Sequence, residues 1–404
     1  MKRTLLIISI NAILMLSGCI KENYDEPVTE KTYQREWYEL IKTDTLNNTM
    51  MTKEITGYAL PIGSTVIRNS FLYHSINGSD TLTLSGVVCW PLDADSCSEI
   101  WLESHFFSVC WNECPSYQSQ PGMIICSTRN AISIGADYQG LGYTRDMFLP
   151  YLNTTLLASQ NIDCFKAAMT LLKDCGPYLA DDYRTYNIGY SLGGAVTMAI
   201  AKQIELDPEL RQSIHLKKTF CGGGPYDQPA YFNYFLARPT LELAYPIAFL
   251  CSVKSISNSS LSFRQKYSYS DCYSENLLNS GILEALDSKN YNSAQINQML
   301  RSNNCSTIKG ILSEQMLDRN SQLNKDIFKE IEKLNLTVGW TPRTPILIRH
   351  SRTDTYVPFV CMESVIANLS DNPNVTCEII ESASHQDDGI NFFMNLIYGR
   401  YSLE

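Results

Sequence analysis

The sequence predicts an α/β fold: a mostly parallel central sheet with helices on both of its faces. Three observations predict it. A hairpin signal, Asn-Gly-Ser-Asp at 77–80, joins two β-rich runs at 68–76 and 81–90. After this hairpin, short apolar runs alternate with longer segments of helical periodicity. Between 226 and 341 the alternation stops, and only helical segments are evident.

The remaining elements are predicted from the same two periodicities. Runs with β-branched and aromatic residues indicate strands, and apolar residues spaced three and four apart indicate helices. Strands are expected at 100–107, 131–135, 185–189, 218–221, 345–349 and 375–380, and helices at 154–173, 192–204, 359–368 and 391–398.

These elements divide the chain into a core at 56–225 and 342–404 and an insertion at 226–341. Loops that leave the carboxyl ends of parallel strands surround the ligand crevice of such sheets. We therefore expect the insertion to be a helical cap over a site. A purely structural excursion is the alternative.

The N-terminus carries the pattern of an export signal. Lys2 and Arg3 precede an apolar run at 5–16, which is too short to span a bilayer comfortably. The following Leu-Ser-Gly-Cys resembles the lipobox of bacterial lipoproteins. This resemblance implies a signal peptide at 1–18, a lipidated Cys19 and a polar tether at 19–55. It implies anchoring in the bacterial cell envelope, most readily at the outer membrane.

Composition excludes some functions. The net charge is −10 with no cluster of Lys and Arg, so nucleic-acid binding is not expected. No second Cys pair or His pair accompanies Cys110 and Cys114, so no metal is expected. In an exported protein, Cys110–Cys114 and Cys89–Cys97 are candidate disulfides, although sequence does not determine pairing.

The segment 189–193 reads Gly-Tyr-Ser-Leu-Gly, which matches the G-x-S-x-G motif. A predicted strand leads into it and a predicted helix leads out, as a nucleophile elbow requires. The elbow would expose Ser191 at a strained bend, and small flanking residues relieve the clash there. The alternative is that Ser191 merely caps the helix after a glycine turn.

A serine nucleophile needs a base and an orienting carboxylate. Only five histidines are present, and His385 lies in the loop predicted before the last helix. Asp354 lies on the turn after the strand predicted at 345–349, which makes it the candidate acid. His350 is an alternative base but is expected to pack beneath the acid loop. Asp387 and Asp388 are expected to be solvated or to cap the helix.

The segments GYSLGG, WTPRTPILIRHSRTDTYVP and SASHQDDG resemble the α/β-hydrolase superfamily. ISIGADYQGLGYTRDMFLPYL is similar to a segment of secretory lipases and their bacterial lipase-like relatives. The resemblance implies an α/β-hydrolase fold with a lid and a serine ester hydrolase that needs no cofactor. It places the oxyanion hole at the backbone N–H of Leu192 and of Phe106 or Phe107. Where relatives often have His-Gly, this chain has His105-Phe106.

Other candidate site residues are suggested by residue type and position, without a motif. Tyr190, Tyr226, Tyr231 and Phe232 are candidate substrate contacts, with packing of the cap as the alternative. Asp137 is expected to bond N–H groups of its own turn, and the alternative is that it helps to hold the elbow or lines the site.

The predicted function is therefore carboxylic-ester hydrolysis of a small-molecule, lipid or glycan ester by Ser191, Asp354 and His385. A prolyl-type peptidase and a polysaccharide acetyl or feruloyl esterase use the same triad and stay open as alternatives. A catalytically dead binding lipoprotein on the same scaffold is the alternative of another class. The sequence gives no oligomeric state.

Overall fold

The architecture is a nine-stranded sheet with helices on both faces. The computed structural model describes residues 36–77, 80–238, 251, 253–255 and 261–404. Along the sheet the strands follow the order β1-β2-β3-β5-β4-β6-β7-β8-β9. Their bounds are Tyr38–Leu46 (β1), Val66–Asn77 (β2), Asp80–Pro91 (β3), Ser96–Ser104 (β4), Ile132–Ala136 (β5), Tyr178–Tyr190 (β6), Leu216–Gly222 (β7), Ile346–Ser351 (β8) and Val375–Ile380 (β9).

The sheet has an antiparallel and a parallel part. The three pairings β1–β2, β2–β3 and β3–β5 are antiparallel, and Asn77 pairs with Asp80, which confirms the predicted hairpin. All pairings from β5 through β4, β6, β7 and β8 to β9 are parallel. The carboxyl ends of β4, β6 and β8 therefore meet at one edge of the sheet, where crevices form in such folds.

Side chains that alternate along the strands build an apolar core on each face. In β4, Ile100 and Leu102 belong to one core, and Trp101 between them belongs to the other. Helices 154–175 and 192–206 cover the first face, and helices 121–129 and 385–397 cover the second.

The described helices are Asn48–Thr56 (α1), Pro121–Arg129 (α2), Thr154–Cys175 (α3), Leu192–Leu206 (α4), Pro208–Ile214 (α5), Gln228–Leu236 (α6), Leu261–Lys266 (α7), Tyr269–Cys272 (α8), Glu275–Leu278 (α9), Ile282–Ser288 (α10), Ser293–Ser302 (α11), Ile308–Ile311 (α12), Glu314–Leu317 (α13), Gln322–Glu332 (α14), Val360–Leu369 (α15) and His385–Ile397 (α16). None of them is both long enough and apolar enough to cross a bilayer.

The predicted tether at 19–55 is too long at its C-terminal end. Strand β1 pairs with β2 at the edge of the sheet, and helix α1 follows it directly. The Asn47 side chain accepts the backbone N–H of Thr49 at 2.8 Å and caps that helix. Because most side chains of β1 are exposed, its sequence is polar and reads as a linker. The predicted signal peptide, Cys19 and residues up to 35 lie outside the described residues.

Between β7 and β8 the described residues form helices and a single isolated bridge between Tyr273 and Leu312. Side-chain caps begin several of these helices. Asn292, for example, accepts the backbone N–H of Gln295, whose side chain in turn accepts the backbone N–H of Asn292. Polar caps of this kind account for the polar helical pattern of the insertion. Its boundaries at 226 and 341 stay a prediction.

The candidate disulfides are absent from the described residues, whose 13 cysteines all carry free thiols. Cys89 lies on β3 and Cys97 on β4, and β5 runs between these two strands. The Sγ atom of Cys110 donates to Asn112, and that of Cys114 donates to the carbonyl oxygen of Trp111. Short sequence spacing therefore predicted both pairs wrongly.

Candidate active site

Ser191 occupies a sharp bend between strand β6 and helix α4. Its backbone has φ 61° and ψ −129°, which an L-residue adopts only under strain. Added Cβ atoms would overlap the backbone of Gly193 at position 189 and that of Ser104 at position 193. Both glycines are therefore required for the close approach. Within the described chain, the Ser191 hydroxyl makes no capping hydrogen bond to helix α4, which excludes the simple N-cap alternative.

The structure brings Ser191, His385 and Asp354 together. The Ser191 Oγ lies 2.9 Å from Nε2 of His385, and Nδ1 of His385 lies 2.6 Å from Oδ2 of Asp354. A carboxylate at Nδ1 keeps the proton on that nitrogen and leaves Nε2 to accept the serine hydroxyl. The three side chains thus form a continuous hydrogen-bonded chain.

Asp354 is held ionised beneath the imidazole. Its Oδ1 accepts the backbone N–H groups of Tyr356 at 2.8 Å and Val357 at 2.9 Å. Burial by itself raises the pKa of this carboxyl, but the neighbouring His385 and these hydrogen bonds outweigh burial and hold the pKa below its ordinary value. The acid is therefore a carboxylate at neutral pH.

His350 lies beneath the acid loop and away from the bend at Ser191. It is fully buried, and its Nε2 lies 2.9 Å from the carbonyl oxygen of Val357 but 3.8 Å from Asp354. Burial lowers the pKa of His350, so its ring is neutral. This is the packing role that the sequence predicted.

His385 is the first residue of helix α16, and the predicted loop is correspondingly shorter. The side chain of Ser384 accepts the backbone N–H of Asp387 at 3.1 Å, and its hydroxyl donates to the Asp387 carboxylate at 2.6 Å. Asp387 therefore takes part in the helix cap, as expected. Asp388 does not: it is fully buried and pairs with Arg349 at 2.7 Å. A buried ion pair could not be read from a polar-looking segment.

The loop after β4 lies against the bend at Ser191. The Gly193 backbone packs on the carbonyl groups of Ser104 and His105, so the start of helix α4 adjoins this loop. The His105 ring is buried and stacks on Tyr138 with centroids 3.9 Å apart. Its Nδ1 lies 2.8 Å from the carbonyl oxygen of Phe106. The loop after β4 therefore packs against the first turn of helix α4.

Asp137 does not bond its own turn, contrary to the prediction. It accepts the hydroxyl of Ser85 at 2.6 Å and the backbone N–H of Ser116 at 2.9 Å. Both partners are distant in sequence, so local turn chemistry could not reveal them. Asp137 instead links strand β3, through Ser85, to the segment after β4, through Ser116.

A cavity of about 530 Å³ opens at Ser191 and His385. Its lining is mostly apolar, as in sites that bind small organic ligands. Of the candidate substrate contacts, Tyr190 and Tyr231 line it, together with Phe106 and Phe107. Tyr226 and Phe232 do not line it; both are fully buried in the core. An aromatic-rich segment does not reveal which rings turn toward a cavity.

Three further segments line the cavity, and of these only the insertion was expected to lie over a site. Helix α1 contributes Ile55, the last residue of the predicted tether, and Thr56, the first of the predicted core. Helix α11 of the insertion contributes Ser293, Ala294 and Asn297. One face of helix α16 also lines the cavity. The residues on this face recur every three or four positions, a helical spacing that was visible in the sequence. The lining positions of α16 are Gln386, Gly389, Ile390, Phe393, Met394 and Ile397.

No cluster of three or more His, Cys, Asp or Glu able to hold a metal ion occurs among the residues described.

Solved structures share this architecture. The ligand-bound rice cell wall degrading esterase LipA from Xanthomonas oryzae matches with a TM-score of 0.73 and 18% identity, over 89% of this chain and 97% of that one. A protein from Legionella pneumophila matches with a TM-score of 0.74 and 15% identity, over 89% and 96%. Candida antarctica lipase A in its closed state gives 0.61 and 13%, over 94% and 87%.

The chain has the α/β-hydrolase fold. At these identities the likeness shows the fold alone, and no protein-family model or curated protein sequence matches the chain. Ser191 lies at the predicted strand-to-helix bend and Asp354 on the turn after β8, as the motifs predicted, whereas His385 begins the last helix instead of lying in the loop before it.

Proposed function

We propose that the protein is a serine carboxylic-ester hydrolase. The observation that carries the proposal is the hydrogen-bonded chain from Ser191 through His385 to Asp354, at 2.9 and 2.6 Å. It stands at the wall of an apolar cavity and on a strained strand-to-helix bend. Nucleophile, base and orienting acid in this arrangement define acyl transfer through a serine.

The mechanism follows from the contacts. His385 removes the proton of the Ser191 hydroxyl as Oγ attacks the ester carbonyl, and it later gives that proton to the departing alcohol. Asp354 stabilises the imidazolium that forms between these steps. Water then attacks the acyl-enzyme with His385 again as base, which releases the acid and restores Ser191.

We assign stabilisation of the tetrahedral oxyanion to the backbone N–H of Leu192 and to that of Phe106 or Phe107. The support is the close packing of helix α4 on the loop after β4. Backbone donors do not depend on the side chain, so phenylalanine can serve in place of glycine. Each such donor contributes about 2.7–4 kcal/mol in comparable acyl-transfer sites.

The substrate that fits the cavity is an ester with an apolar group next to its carbonyl. Apolar side chains of α16 and of Ile55, Phe106 and Phe107 form most of the lining. The structural neighbours named for their activity are an esterase and a lipase, which agrees with this class.

The test is hydrolysis of p-nitrophenyl esters by the wild-type chain and by Ser191→Ala. We expect turnover by the wild type and its loss in the variant, because the Ser191 hydroxyl supplies the oxygen that accepts the acyl group. Labelling by a fluorophosphonate probe should disappear in parallel. Undiminished turnover by pure, folded Ser191→Ala would rule the proposal out. Acylated xylan and aminoacyl-proline amides in the same panel separate the polysaccharide esterase and the peptidase.

We further propose that the chain is a lipoprotein anchored in the bacterial cell envelope through Cys19. The support is the sequence Leu16-Ser17-Gly18-Cys19 after a basic start and a short apolar run. Radiolabelled palmitate should enter the wild-type protein and not Cys19→Ala, and fractionation of the envelope should place the labelled protein in the outer membrane. Equal labelling of both proteins would contradict the proposal.

A further inference from the structure

Tyr190, the residue before the nucleophile, has a ring that the surrounding backbone is shaped to receive. A Cβ at position 222 would overlap this ring; at 223 and 389 it would lie 2.6 and 2.9 Å from ring atoms. These positions are glycines from two separate segments. The ring itself packs on His385, with centroids 5.0 Å apart, and Tyr356 packs on His385 at 5.3 Å. The imidazole thus has an aromatic neighbour on each of two elements.

A single buried carboxylate binds the end of this ring. The Tyr190 hydroxyl donates to Oδ2 of Asp388 at 3.1 Å, and Nε of Arg349 donates to Oδ1 of Asp388 at 2.7 Å. Asp388 is completely buried, and the Arg349 side chain is 7% exposed. Arg349 also contacts Glu378 at 3.2 Å. A buried carboxylate with both oxygens occupied has little freedom to move.

The partners lie on the three segments that carry the triad. Tyr190 ends strand β6, directly before Ser191. Arg349 lies on β8, whose following turn carries Asp354, and Asp388 lies in the first turn of α16, three residues after His385. The contacts of Asp388 therefore span all three segments at once.

We propose that Asp388, Tyr190 and Arg349 form a positioning cluster, the Asp388 cluster. It fixes the positions of the segments that carry Ser191, Asp354 and His385 relative to one another. The proposal rests on the proposed ester hydrolysis. None of the three side chains donates to or accepts from the Ser191 hydroxyl; they act through the placement of His385. Displacement of a catalytic group by about 1 Å can lower a rate by two orders of magnitude, which is the effect that such a cluster prevents.

The test is Asp388→Asn, assayed with p-nitrophenyl butyrate on the full chain. The amide keeps the volume of the carboxylate but is neutral and leaves Arg349 without its buried counter-charge. We expect kcat to fall about ten- to one-hundredfold with KM changed by less than about twofold. Tyr190→Phe keeps the ring on His385 and loses only the hydroxyl, so its kcat should fall less, by about three- to tenfold.

Active-site titration with a fluorophosphonate makes the test independent of folding. It counts the sites that are folded and reactive, and kcat is expressed per titrated site. The matched control is Asp371→Asn, which makes the same change of charge on an exposed residue outside the cavity lining and the cap of helix α16, and it should keep the wild-type kcat.

The outcomes separate the two proposals. If the wild type is active and Asp388→Asn has the same kcat per titrated site, the Asp388 cluster has no positioning role. The same conclusion follows if activity falls only in proportion to the titrated sites, because the role is then purely one of stability. A wild type that hydrolyses no ester overturns the proposed function and, with it, the role of the cluster.

Discussion

The core and the outer walls of the cavity meet at the same substrate site but contribute to it differently. The core supplies Ser191, Asp354 and His385 from strand ends and a helix start, where the backbone determines each position. The outer walls, helices α1 and α11, place Ile55, Thr56 and Asn297 on the lining of the cavity. The core therefore carries the chemistry, and the walls determine what fits beside it.

This difference predicts two kinds of variant. A change in the core should lower kcat for every ester, because it alters the reacting groups or their placement. A change in a wall should alter the ratio of kcat/KM between short and long esters and leave the reaction itself intact.

Asp354→Asn tests the core most severely. The amide can still accept the N–H groups of Tyr356 and Val357, but its own N–H₂ favours the wrong tautomer of His385. We expect kcat to fall about 10³–10⁴-fold with little change in KM, as in other Ser-His-Asp triads. Steady-state kinetics on p-nitrophenyl butyrate measures this.

Asp371→Asn is the control for that variant, since it removes the same charge from an exposed position. A decrease smaller than about tenfold in Asp354→Asn would show that the carboxylate does not orient the imidazole. The expectation that changes in the core lower kcat would then fail at the residue where the largest decrease is expected.

Ile55→Trp tests the walls. The larger side chain takes up space in the cavity, so long acyl groups should be excluded more than short ones. Each methylene that loses its apolar contact costs about 0.8 kcal/mol, and the ratio of kcat/KM for octanoate to acetate esters should fall about tenfold or more. Activity on the acetate ester should stay near that of the wild type.

The matched control is Ile41→Trp, the same substitution at an exposed position of strand β1 in the same N-terminal segment. It should leave the ratio unchanged. An unchanged ratio in Ile55→Trp as well would mean that helix α1 does not contact the acyl group.

Glu103→Gln tests how the core holds the loop after β4. Glu103 is buried at the end of that strand and accepts the backbone N–H of Gly122 at 2.8 Å. Burial raises the pKa of this carboxyl to about 8. The folded state therefore binds a proton that the unfolded state releases above about pH 4.5, and stability falls as pH rises from there toward 8.

Glutamine keeps the acceptor and cannot ionise, so Glu103→Gln should remove this loss. Relative to the wild type, its free energy of unfolding should be higher at pH 8 by at least about 1 kcal/mol and little changed near pH 4.5. Urea unfolding at both pH values measures the difference. Glu332→Gln, at an exposed position, should show no such dependence. A wild type and a variant with parallel pH profiles would contradict the raised pKa.

What could be predicted differs between core and walls for a physical reason. The G-x-S-x-G motif identified Ser191 because a strained bend restricts its neighbours to glycine. Elimination among five histidines selected His385 because the order of elements along the chain restricts where a base can lie. Its helix start was missed, although Ser384 with Asp387 three residues later is a capping signal.

The predictions that were wrong concern residues whose contacts are with residues distant in the sequence. Asp388 pairs with Arg349, 39 positions earlier, and Asp137 bonds Ser85, 52 positions earlier. Tyr226 and Phe232 have the same composition signal as Tyr231, yet only Tyr231 faces the cavity. Spacing along the chain carries no information on such pairings.

By itself, the sequence determined the order of strands β2 to β9 and of the long helices between them, the bend that exposes the serine, and the histidine and aspartate that accompany it. Local rules suffice there, because periodicity, turn geometry and strand-to-helix bends involve neighbouring residues. Only the tertiary structure decided which side chains form the cavity and that helix α1 contributes to its lining. It also decided that Asp388 is buried and paired with Arg349. Those features arise from packing between segments that are remote in sequence, and a packing partner is defined only once the sheet and its helices have assembled.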